Sequence, residues 1–162
     1  MNIETHIADQ IDDFNIQHEW IDIDPCFADT EQFCEKYGFQ MSESANTIII
    51  ASKRGEKKYC ACLVLAIDRL DVNNKVKSLM KVSRLSFAKS EETKQLTNMM
   101  IGGVSVIGLP KTVEIFIDSK VMNVPRIIIG GGSRSSKIIL PPSELKKIPN
   151  VKMIDGLSIS NS

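Results

Sequence analysis

Two glycine-rich loops hold the residue types in this chain best suited to chemistry. The first reads Ile101-Gly102-Gly103-Val104-Ser105-Val106-Ile107-Gly108-Leu109-Pro110. Glycines permit close backbone approach, so consecutive N–H groups can turn into one cavity. Such a nest holds a carboxylate, a phosphate oxygen or the oxyanion of an attacked ester. Ser105 adds a hydroxyl that donates or accepts. The same string also suits a structural turn between strands, and spacing alone favours the turn. The second loop, Ile127-Ile128-Ile129-Gly130-Gly131-Gly132-Ser133-Arg134, follows a β-rich run. It lacks the Gly-Lys-Ser/Thr that ends a P-loop. Lys137-Ile138-Ile139-Leu140 then reads as strand rather than helix, which argues against a Rossmann or P-loop site. Arg134 and Lys137 stand at a strand edge beside this loop, where they can contact an anionic ligand.

Other reactive groups are sparse. His6 and His18 are isolated and read as surface or edge residues. Cys26, Cys34, Cys60 and Cys62 do not follow a zinc-ribbon or finger spacing. Cys60 and Cys62 share one face of a β-rich run as small apolar residues. No metal or cofactor is expected. No Ser-His-Asp set, paired-carboxylate motif or HExxH occurs, so an enzyme of this sequence must work largely through backbone amides and positioned hydroxyls.

The elements that position these loops are legible in outline. Ile3, Ile7 and Ile11 recur every four residues, which places them on one face of an N-terminal helix. Ile16 to Ile23 alternates and ends before Pro25, as a strand does. Asp29-Thr30 opens a second helix, buried through Phe33 and Tyr37 and closed by Gly38. Asn46–Ser52 and Tyr59–Ile67 form a hairpin whose tip, Lys53-Arg54-Gly55-Glu56-Lys57-Lys58, is basic. Asp71 can cap a helix over Val72–Met80, and Ser90 starts another that reaches about Met99. Short β runs follow at Val113–Ile117, Arg126–Ile129 and Lys137–Leu140. A short helix after Pro141-Pro142 and a last strand at Val151–Ile154 complete the chain. Sequential hairpins with separated helices favour α+β over a doubly wound fold, with a mixed, strongly curved, barrel-like sheet covered by helices.

Composition bounds the rest. With 162 residues, 43% apolar and 25% charged, this is the balance of one ordinary globular domain, expected to span residues 1–162. No apolar run approaches the roughly 20 residues that cross a bilayer, and the N-terminus lacks signal-peptide order, so a cytoplasmic location is expected. The net charge is zero but unevenly spread. Residues 1–45 hold eleven acidic side chains against the single base Lys36, and the remainder is correspondingly basic. Such a split leaves room for a polyanion-binding face, unless the acidic quarter packs against the basic remainder and cancels it.

At the two loops the chain resembles the YbaK family, the domain also found as the editing insertion of bacterial prolyl-tRNA synthetases. The most specific piece is GGVSxxG, Gly102 to Gly108. Leu70-Asp71 before a helix, Glu91-Glu92-Thr93, the strand with Ile117-Asp118 and the closing loop with its Pro141-Pro142 end extend it over nearly the whole chain. Members hydrolyse mischarged aminoacyl-tRNA in trans, which implies an aminoacyl-tRNA deacylase of YbaK-like α+β fold. The sequence also departs from the family. A lysine usual before the Thr47-Ile48 position is Asn46, the proline after the GGVS serine is Val106, the serine opening the second loop is Gly130, and an aspartate seven residues on is Lys137.

The resemblance implies roles. Gly102, Gly103 and Ser105 would grip the aminoacyl end, and Lys137 would supply from the opposite strand the charge that Asn46 cannot. Asn46, Thr47, Val104, Gly108, Gly130 and Arg134 would bind substrate. Lys53, Arg54, Lys57 and Lys58 would meet the single-stranded acceptor end. The implied partner is the acceptor end of aminoacyl-tRNA, with an aminoacyl-tRNA synthetase as a second candidate and no membrane. A non-catalytic tRNA or aminoacyl-adenosine binding module of the same fold is the competing class.

Overall fold

The computed structural model describes residues 2–160. Helix α1 (Ile3–Asp13) begins where the Asn2 side chain accepts hydrogen bonds from the Glu4 and Thr5 amides, and it buries Ile7 and Ile11. β1 (Glu19–Asp22) is shorter than the alternation from Ile16 to Ile23 predicts. Its flanks are spent elsewhere: the Ile16 amide closes the end of α1 on the Ile11 carbonyl, and the Ile23 amide donates to Ser135. Helix α2 (Thr30–Tyr37) follows, then the hairpin of β2 (Ala45–Ser52) and β3 (Tyr59–Leu65). Cys60 and Cys62 are both buried on one face of β3.

A wide π-type turn over Val72–Val76, held by Asp71 accepting from the Asn74 amide, leads into α3 (Lys77–Met80). Helix α4 is Ser90–Thr97. Strands β6 (Glu114–Asp118), β7 (Ile127–Gly130), β8 (Ser136–Leu140) and β9 (Val151–Ile154) match the short β runs closely, and Pro142–Lys147 forms a 3-10 helix. Three further strands, β4 (Asp68–Leu70), β5 (Leu85–Phe87) and β10 (Ser158–Ser160), have no counterpart in the sequence reading.

The strands form three sheets. One runs β5-β2-β3-β6-β9, with β5-β2-β3 antiparallel and β3-β6-β9 parallel. A second runs β1-β8-β7, all antiparallel, and β4 pairs with β10. This α+β arrangement corrects the expected barrel-like sheet. Closure needs a hydrogen-bonded ladder joining both edges, and among the described residues the two larger sheets are bridged only by an isolated pair, Ser44 with Ile128, outside the ladders. The largest apolar cluster fills the space between them. It is built from α1, from Ala45, Ile49, Ala61 and Leu63 of the hairpin, and from Ile127, Ile129, Ile138 and Leu140 of the smaller sheet.

Candidate functional site

The seam where these sheets separate opens into a cleft of about 370 Å³. Its origin lies in the unequal lengths of β2 and β5. β5 pairs with β2 only at Ile50, Ala51 and Ser52, and beyond them the Ala88 amide donates to the Ile49 carbonyl. Before Ile49 the strand runs on without a ladder partner on that edge. Backbone groups of an antiparallel strand face alternate sides. Ser44 and Ser52 bond towards β3, through the Ala66 amide and the Lys58 carbonyl, whereas Ile49 and Lys53 bond towards the β5 side. By that alternation the N–H and C=O of Thr47 point into the cleft. Its side chain adds a second polar group, because Thr47 Oγ1 is buried with no hydrogen-bond partner.

Facing this edge across the cleft is Lys137 of β8, only 6% exposed. Its Nζ donates to the Gly102 carbonyl at 3.0 Å and stands 5.5 Å from the centre of the Phe33 ring. Burial pulls the ammonium down to about 8, helped by the nearby Arg134 cation and opposed by the Asp29 carboxylate. The cleft therefore holds a desolvated cation that gives up its proton more readily than an exposed lysine does. Asn46 lines the same cleft, and its Oδ1 accepts from the Thr30 hydroxyl at 2.8 Å.

Six of the residues singled out from the sequence line this cleft: Asn46, Thr47, Gly102, Val104, Gly130 and Lys137. Of the other residues assigned to catalysis or substrate binding, Gly103, Ser105, Gly108 and Arg134 do not line it, and each is occupied otherwise. The basic tip residues Lys53, Arg54, Lys57 and Lys58 also lie outside it. Ser105 is fully buried; its Oγ accepts from the Ile107 amide at 3.2 Å, so the hydroxyl shapes a turn in the core. The Gly103 amide donates to the Met100 carbonyl at 2.8 Å, which leaves it no free N–H for an oxyanion. A Cβ on Gly103 would collide with the Ser133 carbonyl, so this glycine lets the two loops touch backbone to backbone. Gly108 packs under α1, donating to Gln10 at 3.0 Å. Arg134 is a strut rather than a free cation, with bonds of 3.0–3.1 Å to Asp29, the Ile101 carbonyl and the Pro25 carbonyl.

The sequence reading missed what α2 and β5 contribute. Asp29, Thr30 and Phe33 form one wall, and Phe87 with Ile101 stands at the mouth. Asp29-Thr30 signals a helix start, but nothing local shows which loop that start faces. The histidines are engaged structurally, His6 Nε2 with the Gly108 carbonyl and His18 Nδ1 with the Ile16 carbonyl. The Cys60 contact and burial push the Cys62 thiol well up, which keeps it protonated and a poor nucleophile. Among the described residues no group of three His, Cys, Asp or Glu side chains could hold a metal ion, and no helix is long and apolar enough to cross a membrane.

A family model described as the aminoacyl-tRNA editing domain matches residues 24–148. The uncharacterized protein YwhH of Bacillus subtilis (strain 168) is 27% identical over 146 residues, covering 90% of this chain and 88% of that protein. A solved structure described as a proposed trans-editing enzyme for prolyl-tRNA synthetase superposes with a TM-score of 0.81 at 18% identity, over 96% of each chain. A hypothetical protein, APE2540, superposes at 0.83 with 20% identity, over 95% of this chain and 99% of its own. At these identities the two superpositions establish the fold.

Proposed function

The chain belongs to the aminoacyl-tRNA editing domain family, and from that premise we propose that it is a deacylase that hydrolyses the ester of mischarged tRNA in trans. The observation that carries the reading is the buried ammonium of Lys137 across the cleft from the free backbone edge at Thr47. An aminoacyl ester is already activated, so the protein has chiefly to orient it and stabilise charge in the transition state. In the proposed reaction a water oxygen attacks the ester carbonyl carbon and the carbonyl electrons move onto its oxygen. That oxyanion is met by the Lys137 ammonium and by the Thr47 N–H. Collapse breaks the bond to the ribose oxygen, which takes up the proton lost by the water, and free amino acid and tRNA leave. A preorganised donor in such a site is commonly worth about a hundredfold in rate.

Asn46 presents an amide where the family usually has lysine, so it can hydrogen-bond the ribose without adding charge. This places the charge on β8 instead of β2. The same reading treats residues 1–162 as one domain that acts in the cytoplasm, where charged tRNA is found, alongside a synthetase. A deacylation panel tests it: each mischarged aminoacyl-tRNA is incubated with the pure protein and release of the amino acid is followed. Accelerated release from at least one member is expected. Tight binding of the panel with no release by any member would make the chain a binding module instead.

Thr47 gives a separable check. Its hydroxyl lacks a partner, and a buried unpartnered polar group costs about 1–3 kcal/mol. Thr47→Val keeps the N–H that meets the oxyanion and removes only the unpartnered hydroxyl, which on this reading holds the substrate. The thermal midpoint should therefore stay or rise, while KM for the panel's best substrate rises about tenfold at little-changed kcat. A variant that loses stability and keeps its kcat/KM would make the hydroxyl structural.

A further inference from the structure

We infer that β5 guides a single-stranded RNA end into the cleft, with Phe87 stacking its terminal base at the mouth and Lys53, Lys77 and Arg84 holding its phosphates at the strand's other end. This rests on the reading of the cleft as the site for the aminoacyl end.

Phe87 is 58% exposed although it lines the cleft, and Ile101, which lines it too, is 50% exposed. A large aromatic left in water at the edge of a cleft suits a flat apolar ligand group. An unpaired base is such a group, and stacking on an aromatic ring accepts any base because each has a π-face. A second hollow of about 250 Å³ begins at the opposite end of the same strand, lined by Lys53, Asn73, Lys77, Ser83, Arg84 and Leu85. The Lys53 amide donates to the Arg84 carbonyl at 2.9 Å, which fixes the hairpin against the start of β5. No carboxylate lines this hollow.

The hollow gathers cations that no carboxylate among the described residues holds. The acidic first quarter does meet the basic remainder, through Asp29 with Arg134 and Glu43 with Arg126. Lys57 is held by Glu92 and Lys152 by Glu114. Among the described residues Lys53, Lys77 and Arg84 form no salt bridge, so three cations converge without an internal counter-charge. From Arg84 to Phe87 the strand advances roughly 10 Å at about 3.3 Å per residue. An RNA strand whose last base lies on Phe87 then carries a phosphate past Arg84 within its next few nucleotides.

The test is the binding of a dye-labelled RNA hairpin with an unpaired ACCA 3′ tail to the full chain, followed by fluorescence anisotropy over a salt series. Phe87→Ala should weaken binding roughly fivefold or more, and Phe87→Trp should keep it. The triple variant Lys53→Gln, Lys77→Gln, Arg84→Gln should flatten the slope of log affinity against log salt by about 2, at about 0.7 per single-strand phosphate contact. A hairpin trimmed to a blunt end should bind parent and Phe87→Ala alike. Parental affinity in Phe87→Ala, equal losses in the Ala and Trp variants, or a parental slope in the triple variant would each overturn the path. The RNA carries no ester, so failure to hydrolyse esters leaves this result standing. Unchanged RNA binding in a protein that does deacylate would sink the path and spare the enzyme.

Discussion

Replacing Lys137 with methionine is expected to lower deacylation at least tenfold while leaving the folded protein as stable as before, or more so, at pH 7. The tenfold loss corresponds to about 1.4 kcal/mol of transition-state stabilisation. The stability half follows from burial. The ammonium sits at about 8 in the folded chain against an ordinary 10.5, chiefly because it is desolvated. Below pH 8 the lysine is protonated in both the folded and unfolded chain, so the cost of burying its charge is fully present, on the order of 3 kcal/mol. Between pH 8 and 10.5 the unfolded chain keeps a proton that the folded chain has lost, and stability rises with pH. The methionine variant lacks that rise, and the lost bond to the Gly102 carbonyl offsets part of its gain. Parent and variant should therefore differ most below pH 8 and converge above about pH 10.5 in denaturant unfolding. If the ammonium is the working form, the enzyme-catalysed part of the rate should decline as pH rises through 8. Asn46→Lys should not raise the rate, because a second cation would enter a cleft that already holds one. A methionine variant that deacylates at the parental rate would remove Lys137 from the mechanism.

Gly103→Ala is expected to destabilise the protein by about 3 kcal/mol, the upper end of the usual cost of overpacking. The added Cβ would collide with the Ser133 carbonyl and lie 2.9 Å from the Ser133 nitrogen. Both obstacles are backbone, so no side-chain rotation relieves them. The Gly132 amide also donates to the Gly103 carbonyl at 2.6 Å, and a Cβ on Gly130 would come within 2.6 Å of that same oxygen. The two glycine-rich loops are thus one packed unit, and forcing them apart displaces Gly102 from Lys137. Deacylation should fall together with the unfolding midpoint. A variant with parental melting temperature and rate would show that the loops have room, contrary to the contact described.

Much of this was legible in the residues. Ile3, Ile7 and Ile11 mark α1, and Thr47-Ile48-Ile49-Ile50 with the run from Tyr59 marks the hairpin, because each carries enough repeats for its period to show. β4, β5 and β10 span three residues each and are too short to carry a period. β4 and β10 exist because they pair with each other, and β5 because β2 offers an edge at Ile50–Ser52. The GGVS string marked a loop worth attention, yet its hydrogen bonding was not readable there. Whether the Gly103 amide is free depends on the Met100 carbonyl, and whether Ser105 faces a ligand depends on the Ile107 amide, which takes its oxygen.

The sequence by itself determined the α+β class and the order of the long elements, and its GGVSxxG string carried the resemblance to the family that implies a site at Asn46, Thr47, Gly102, Val104, Gly130 and Lys137. The class and the element order follow from local periodicity and residue type, which fold neighbours along the chain, whereas the family and its site positions follow from the motif strings alone. Only the tertiary structure decided that those six share one cleft and that Arg134 is bound up as a strut. Only it decided that the sheets stay separate, leaving the edge of β2 open at Thr47. The physical reason is that an edge is open or closed, and a cation buried or hydrated, according to what another part of the chain places opposite it. That is a property of the packing, and no single stretch of residues carries it.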